Sequence, residues 1–378
     1  MSMRRAFVLT AAALLAAGAA WSGHEQPVYP SYYPHEIEIA AMPPQRAGEP
    51  MAGGKLHAYI GDLPQFAAAV PDGISSVESL GSFVVVRLNP ESGLARDEAS
   101  ACAAVAAIVR DAAERGGGLI VHPYPVTPLH GDYLDHVDRA EAARRRLLAA
   151  APVSGALEVR AASERTRGLV RPQWRTEDAP WDAVIEEVSA AALVADDTVA
   201  LNGWLGPAWV RSGWYQAYRV LGGAILDEVH KQRVNAAVGR LQEFAFHSAE
   251  ERINLEREIV RLLVSGCHAM VVGYTLKREY FNASFSAGIE NLSYGSLEGL
   301  ASPMFLRTVK LKDFPWNGWL QLGLAPPPES AWNPVGGFTD PFGRLVWFAV
   351  GDPAAIPTPG DAGWTLNRFS DVEAWPRR

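Results

Sequence analysis

The spacing of hydrophobic and polar positions changes several times along the chain, and each change marks an element. Ala6 to Ala20 is an apolar run led by Arg4 and Arg5 and followed by small residues. It is too short and too rich in alanine for a membrane span, which needs about 20 apolar residues, and it has the layout of a secretory signal peptide. From His24 to Gly54 the periodicity is lost among Pro27, Pro30, Pro34, Pro43, Pro44 and Pro50. Fixed φ and missing N–H groups predict an extended surface arm there, with regular structure starting near Lys55. His57–Ile60 and Ser82–Leu88 are short strand-like runs, and Asp97–Arg115 has apolar residues at three- and four-residue spacing. Leu119–His122 is apolar again. This is a β-α-β order, with Gly116-Gly117-Gly118 stopping the helix; a phosphate cradle would need glycines after a strand and before a helix.

Further along, Leu157–Ala161 reads as a strand and Trp181–Val194 as an amphipathic helix capped by Asp178. Trp214–His247 is a long helical pattern, and Ser248 with Glu251 has the spacing of a capping box opening a second helix packed antiparallel to the first. From Met270 alternation takes over, clearest in Phe281–Tyr294 and Phe305–Leu311, and Arg344–Val350 reads as an apolar strand. The predicted fold class is therefore α/β in the first half, a mixed or parallel sheet with flanking helices, joined to a helical and antiparallel β second half. The corresponding division is a signal peptide at 1–22, an arm at 23–54, an α/β domain at 55–200, and a helical and antiparallel domain at 201–378 with proline-rich C-terminal loops.

Composition narrows the function. The chain has 378 residues, 48% of them hydrophobic, and 34 basic against 42 acidic side chains for a formal charge of −8. An acidic chain without a basic stripe does not suit a phosphate backbone, so nucleic acid is excluded as a partner. Cys102 and Cys267 are the two cysteines. In an oxidising compartment they can pair, while the helical spacing of Cys102 with Val105, Val109 and Ala112 equally suits a buried thiol. Neither CxxC nor CxxCH occurs. Arg4-Arg5-Ala6-Phe7-Val8-Leu9 also resembles the twin-arginine export motif, which implies passage of an already folded protein. The expected location is the periplasm.

Three of the nine histidines fall in one stretch, from His122 through His130 to His136, interleaved with Tyr124, Asp132, Tyr133, Asp135 and Asp138. The stretch follows a strand end, where ligands collect in α/β sheets. Imidazole with carboxylate suits one divalent transition metal, so His130, Asp132 and His136 are candidate metal ligands; His122, Tyr124 and Tyr133 are candidate ligand-binding residues. The same side chains also suit a structural loop that bonds backbone groups, with Asp135 and Asp138 capping a helix. A second group, His24 and His35 with Tyr29, Tyr32 and Tyr33, lies in the arm. Trp204, Trp209 and Trp214, with Trp316, Trp319 and Trp332, suit core packing better than a ligand platform. Gly-x-Ser-x-Gly, His-Glu-x-x-His and the Walker loop are all absent. The reading that follows is an exported periplasmic protein binding a small ligand or metal ion through the His/Tyr loop. The alternatives are an exported metalloenzyme using the same histidines, and an accessory subunit docking on a periplasmic or membrane-complex partner.

Overall fold

The computed structural model describes residues 34, 36–149, 155–177, 180–194, 207–225, 227–284, 288–313, 318–325, 327, 340–350 and 355–367. The signal region 1–22, His24, His35, the arm tyrosines, Asp178, Trp204, Trp316 and Trp332 lie outside the described residues. In chain order the strands are β1 (Glu36–Ala41), β2 (Ala58–Ile60), β3 (Ile74–Leu88), β4 (Leu119–Val121), β5 (Val159–Ala161) and β6 (Ala183–Ser189). They continue with β7 (Ala269–Asn282), β8 (Ile289–Asn291), β9 (Lys310–Leu311), β10 (Trp319–Leu324), β11 (Ala355–Pro357) and β12 (Trp364–Leu366).

Eight strands form one mixed sheet in the order β1-β10-β2-β7-β3-β6-β5, with β4 added on β7. Its spine is the long antiparallel pair β3–β7, running from Ile74 opposite Asn282 to Arg87 opposite Ala269, with register shifts between Leu80 and Phe83 and between Val84 and Val85. β10 pairs parallel with β1 and β2, and β5 parallel with β6. The period-2 geometry of a strand sends Phe83 and Val85 to one face and Val84 and Val86 to the other, and all four are buried. One face packs under the helices Gly213–Leu221, Glu228–Gln242 and Ala249–Leu263, which contribute Trp214, Val234 and Ile259. The opposite face packs on the helix Glu98–Arg115 through Val105, Ile108 and Val109. β2 and β10 build a further apolar cluster with Phe305, Leu345 and Phe348. This is the predicted α/β class, with helices on both faces of a mixed sheet and a smaller antiparallel part.

Asp97 caps the helix Glu98–Arg115 by accepting the Ser100 N–H at 2.8 Å, and the helix stops at Gly116, φ 72°. Cys102 on this helix is joined to Cys267, just ahead of β7, with Cα atoms 4.9 Å apart; pairing is the reading realised. Ser248 accepts the Glu251 N–H at 3.1 Å as expected, but Glu251 returns its carboxylate to His247 N–H rather than to the cap residue.

Four segments depart from the sequence reading. Trp181–Val194 is mostly strand: β6 pairs antiparallel with β3 and only Ala190–Val194 is helical. Buried Ala183 and Ile185 alternate with more open neighbours, a period of two that the helix-compatible spacing of the segment concealed. Arg344–Val350 belongs to a helix, Pro341–Val350, in which Pro341 takes the first turn and the Asp340 carboxylate accepts N–H bonds from Phe342 (3.1 Å) and Gly343 (2.7 Å). Phe305 likewise lies on a helix, Pro303–Thr308, capped by Ser302. Within the expected arm, Glu36–Ala41 is strand β1 and Pro44–Ala52 is helical. Pro44 sits in the first turn, and Ala47 and Met51 are buried against Leu56 and Tyr59, so packing outweighs the cost of Pro50.

Candidate functional site

The histidine loop is well ordered by its own bonds. His122 donates its Nε2–H to Val126 O at 2.9 Å. His130 is stacked on Phe83; its Nδ1 accepts the Thr127 N–H at 2.9 Å, which leaves Nε2 to donate to Gln216 Oε1 at 3.0 Å. Asp132 accepts the N–H groups of Gly213 (2.9 Å) and Trp214 (3.1 Å), serving as a tertiary cap on the helix Gly213–Leu221 and favouring its positive end. Tyr124 Oη lies 2.9 Å from His136 Nδ1. Burial pushes His122 and His130 below the ordinary imidazole range and His136 to about 4, so the loop histidines are neutral at pH 7. His130 Nδ1 and both carboxylate oxygens of Asp132 accept backbone N–H groups, and among the described residues no group of three or more His, Cys, Asp or Glu side chains is arranged to hold a metal ion. His122, Tyr124 and Tyr133 form an aromatic cluster with Tyr274, the His122 ring lying 5.8 to 6.5 Å from the other three.

A cleft of about 500 Å³ lies elsewhere, and none of the six expected site residues lines it. Its bed is the β3–β7 pair where the register shifts between Leu80 and Phe83. There Thr275 Oγ1 accepts the Ser82 N–H at 3.1 Å and bonds its hydroxyl at 2.8 Å, closing a bulge; bulges re-aim side chains, and here they open a wall at Leu80–Ser82. The loop Gly61–Leu63 after β2 and the loop Glu298–Ala301 form two sides. Helix residues Phe342 and Phe348, with Trp364 of β12, supply apolar surface, and Leu63 and Trp364 remain 49% and 40% exposed at the rim.

Two charged side chains shape this cleft from within the protein. Glu279 is fully buried; its carboxylate accepts the N–H of Gly61 at 2.8 Å and of Leu300 at 2.7 Å and pairs with Lys277 at 3.2 Å. One buried acid thus ties both cleft loops to β7. Gly299 must lack a side chain, because it holds φ 66° and a Cβ would fall 2.0 Å from Glu279 Oε2. Arg211, 8% exposed, donates from Nη1 to Thr358 O (2.7 Å) and from Nη2 to Gly363 O (2.6 Å), which docks the β11–β12 turn on the cleft wall. Burial draws its pKa down against the opposing pull of Glu298 and Asp361. The histidine loop enters here at one remove. At Gly131 a Cβ would lie 2.5 Å from Asp361 Cα, so the loop backs directly onto the turn that positions Arg211.

Comparison with known proteins gives likeness in solved structures alone: no family model and no curated protein matches. The oligopeptide-binding protein AppA from Bacillus subtilis, in complex with a nonapeptide, is 12% identical, with 71% of this chain and 59% of that one covered at a TM-score of 0.39. The periplasmic EDTA-binding protein EppA is 13% identical, covering 65% and 52%, TM-score 0.33. NikZ from Campylobacter jejuni, in complex with Ni(L-His), is 11% identical, covering 69% and 59%, TM-score 0.36. The chain spans between about half and three-fifths of the length of these structures.

Proposed function

We propose that this chain is an exported solute-binding protein that holds a small organic molecule in the cleft over the β3–β7 bulge. The observation that carries the reading is the cleft itself: a preformed space of about 500 Å³ with apolar walls, loops fixed by Glu279 and a buried cation at its side. Preformed concave sites with few, well-placed polar groups are the usual form of small-molecule sites. Export is supported by the signal-like Met1–Gly23 and by the use of both cysteines in one disulfide, a bond that persists outside the reducing cytoplasm. Among the described residues no helix is long and apolar enough to cross a membrane. The partner this reading implies is a membrane transport complex that receives the ligand, with the periplasm as the place of meeting and the twin-arginine route as one way there.

The test is a thermal-shift screen of the purified chain against organic acids, short peptides and sugars, with each hit repeated on the double variant Leu63→Ala/Trp364→Ala. Both positions are exposed at the rim, so folding is spared. Loss of their apolar area lowers affinity for a hit by about tenfold or more, given some 25 cal/mol for each Å² of apolar contact removed. An unchanged affinity refutes the location.

A further inference from the structure

We infer that the cleft takes a monoanionic organic ligand, a carboxylate carried on an apolar body, and that the Arg211 guanidinium receives the carboxylate. This rests on the cleft being the binding site. Among the described lining residues Arg165, Arg211, Lys277, Arg278 and Arg344 stand with the acids Asp62 and Glu298, an excess of positive charge in a chain whose own balance is −8. That excess of three is matched by acids beneath and beside the cleft. Arg165 pairs with Glu187 at 3.3 Å, Lys277 with Glu279 at 3.2 Å, and Arg278 with Glu78.

Arg211 differs from these three. Its bonds go to the neutral carbonyls of Thr358 and Gly363, and no carboxylate of the described residues lies within ion-pair distance; Glu298 and Asp361 act on it as more distant charges. A guanidinium has more N–H donors than those contacts use, and a bidentate carboxylate takes two. The two carbonyls also hold the planar group in one orientation, so an arriving anion orders nothing further. In a cleft partly shielded from water the attraction is stronger than at an open surface. Asp62 and Glu298 repel a second negative charge, which favours a carboxylate over a phosphate dianion. Phe342, Phe348, Leu63 and Trp364 cover the rest of the molecule.

Calorimetric titration of the full exported chain with 4-phenylbutyrate, 4-phenylbutanamide and 4-phenylbutylamine isolates the head group on one apolar body. The carboxylate is expected to bind at least tenfold more tightly than the amide, and the amine more weakly than either. Arg211→Gln brings the carboxylate to the affinity of the amide and leaves the amide unchanged, with far-UV circular dichroism reporting the fold. Equal binding of acid and amide, a preference for the amine, no binding of the acid, or an acid preference that survives R211Q overturns the inference. The wild-type comparison requires no variant, so it decides the matter even where R211Q fails to fold. The cleft reading fails separately, when the Leu63→Ala/Trp364→Ala variant leaves the affinity of a bound probe unaltered.

Discussion

Cutting the Cys102–Cys267 bond removes a constraint whose size follows from its span. The cysteines are separated by 165 residues, and the bond fastens the helix Glu98–Arg115 to the start of β7, the strand that also bears Lys277 and Glu279. In the chain-entropy account, closing a loop of that length costs the unfolded ensemble about 5 kcal/mol at 25 °C, and the folded state gains by that amount as an upper bound. With a urea slope of about 3 kcal/mol/M, the Cys102→Ser/Cys267→Ser variant unfolds at a midpoint lower by up to nearly 2 M. Wild-type protein in reductant behaves alike. The assay is equilibrium urea unfolding followed by circular dichroism, with a thiol titration of protein recovered from the cell envelope. A midpoint that stays put in both experiments, or two titratable thiols in the unreduced exported protein, refutes the reasoning on stability and on compartment together.

Glu256 is buried beside Arg252, and burial outweighs that partner to raise its carboxyl to about 7 from an ordinary 4.5. A group whose folded pKa is raised contributes stability fully present below pH 4.5 and lost as pH climbs through 7. The loss is about 3 kcal/mol by pH 8, Glu256→Gln removes the dependence, and urea midpoints at pH 5 and pH 8 that move in parallel in both proteins contradict it. Asp132→Ala frees two N–H groups at the start of the helix Gly213–Leu221 and costs about 1–2 kcal/mol, read as a lower Tm; bound metal content, in contrast, does not depend on this substitution. Glu279→Gln presents an amide N–H₂ to one of its two backbone donors, strands that donor in the interior at about 1–3 kcal/mol, and loosens one cleft loop. Hydrogen exchange at Gly61 and Leu300 as slow in the variant as in the wild type argues against the tie.

The sheet core was legible because its signals are local. Apolar spacing marks Glu98–Arg115, Asp97 caps it and Gly116 ends it, and the run Phe83–Val86 is apolar on both faces, as a strand covered on both sides must be. β6 and the helix Pro341–Val350 were misread for a common reason: each is a short segment whose period is ambiguous within seven to ten residues, so the partner decides. β3 recruits β6 as a strand, and the Asp340 cap with Pro341 commits the other segment to helix. At the site, the clustering of histidines pointed to chemistry, but the roles of His130 and Asp132 are set by backbone N–H groups far along the chain, at Gly213 and Trp214, and by Gln216. Those partners are fixed only by the fold. Arg211 did carry a signal, as a single charge between Trp209 and Trp214, because a charge set in an apolar run is buried at a cost that calls for a function or a tie. Glu279 carried none, since it follows Lys277 and Arg278 directly and only the fold buries it.

The most direct measurement is a crystal structure of the chain with the tightest-binding hit of the ligand screen. The account predicts density between the β3–β7 bulge and the β11–β12 turn, packed on Trp364 and Leu63, with an oxygen of the ligand within hydrogen-bond distance of Arg211. Ligand density confined to the histidine loop, or to any surface outside this cleft, contradicts it.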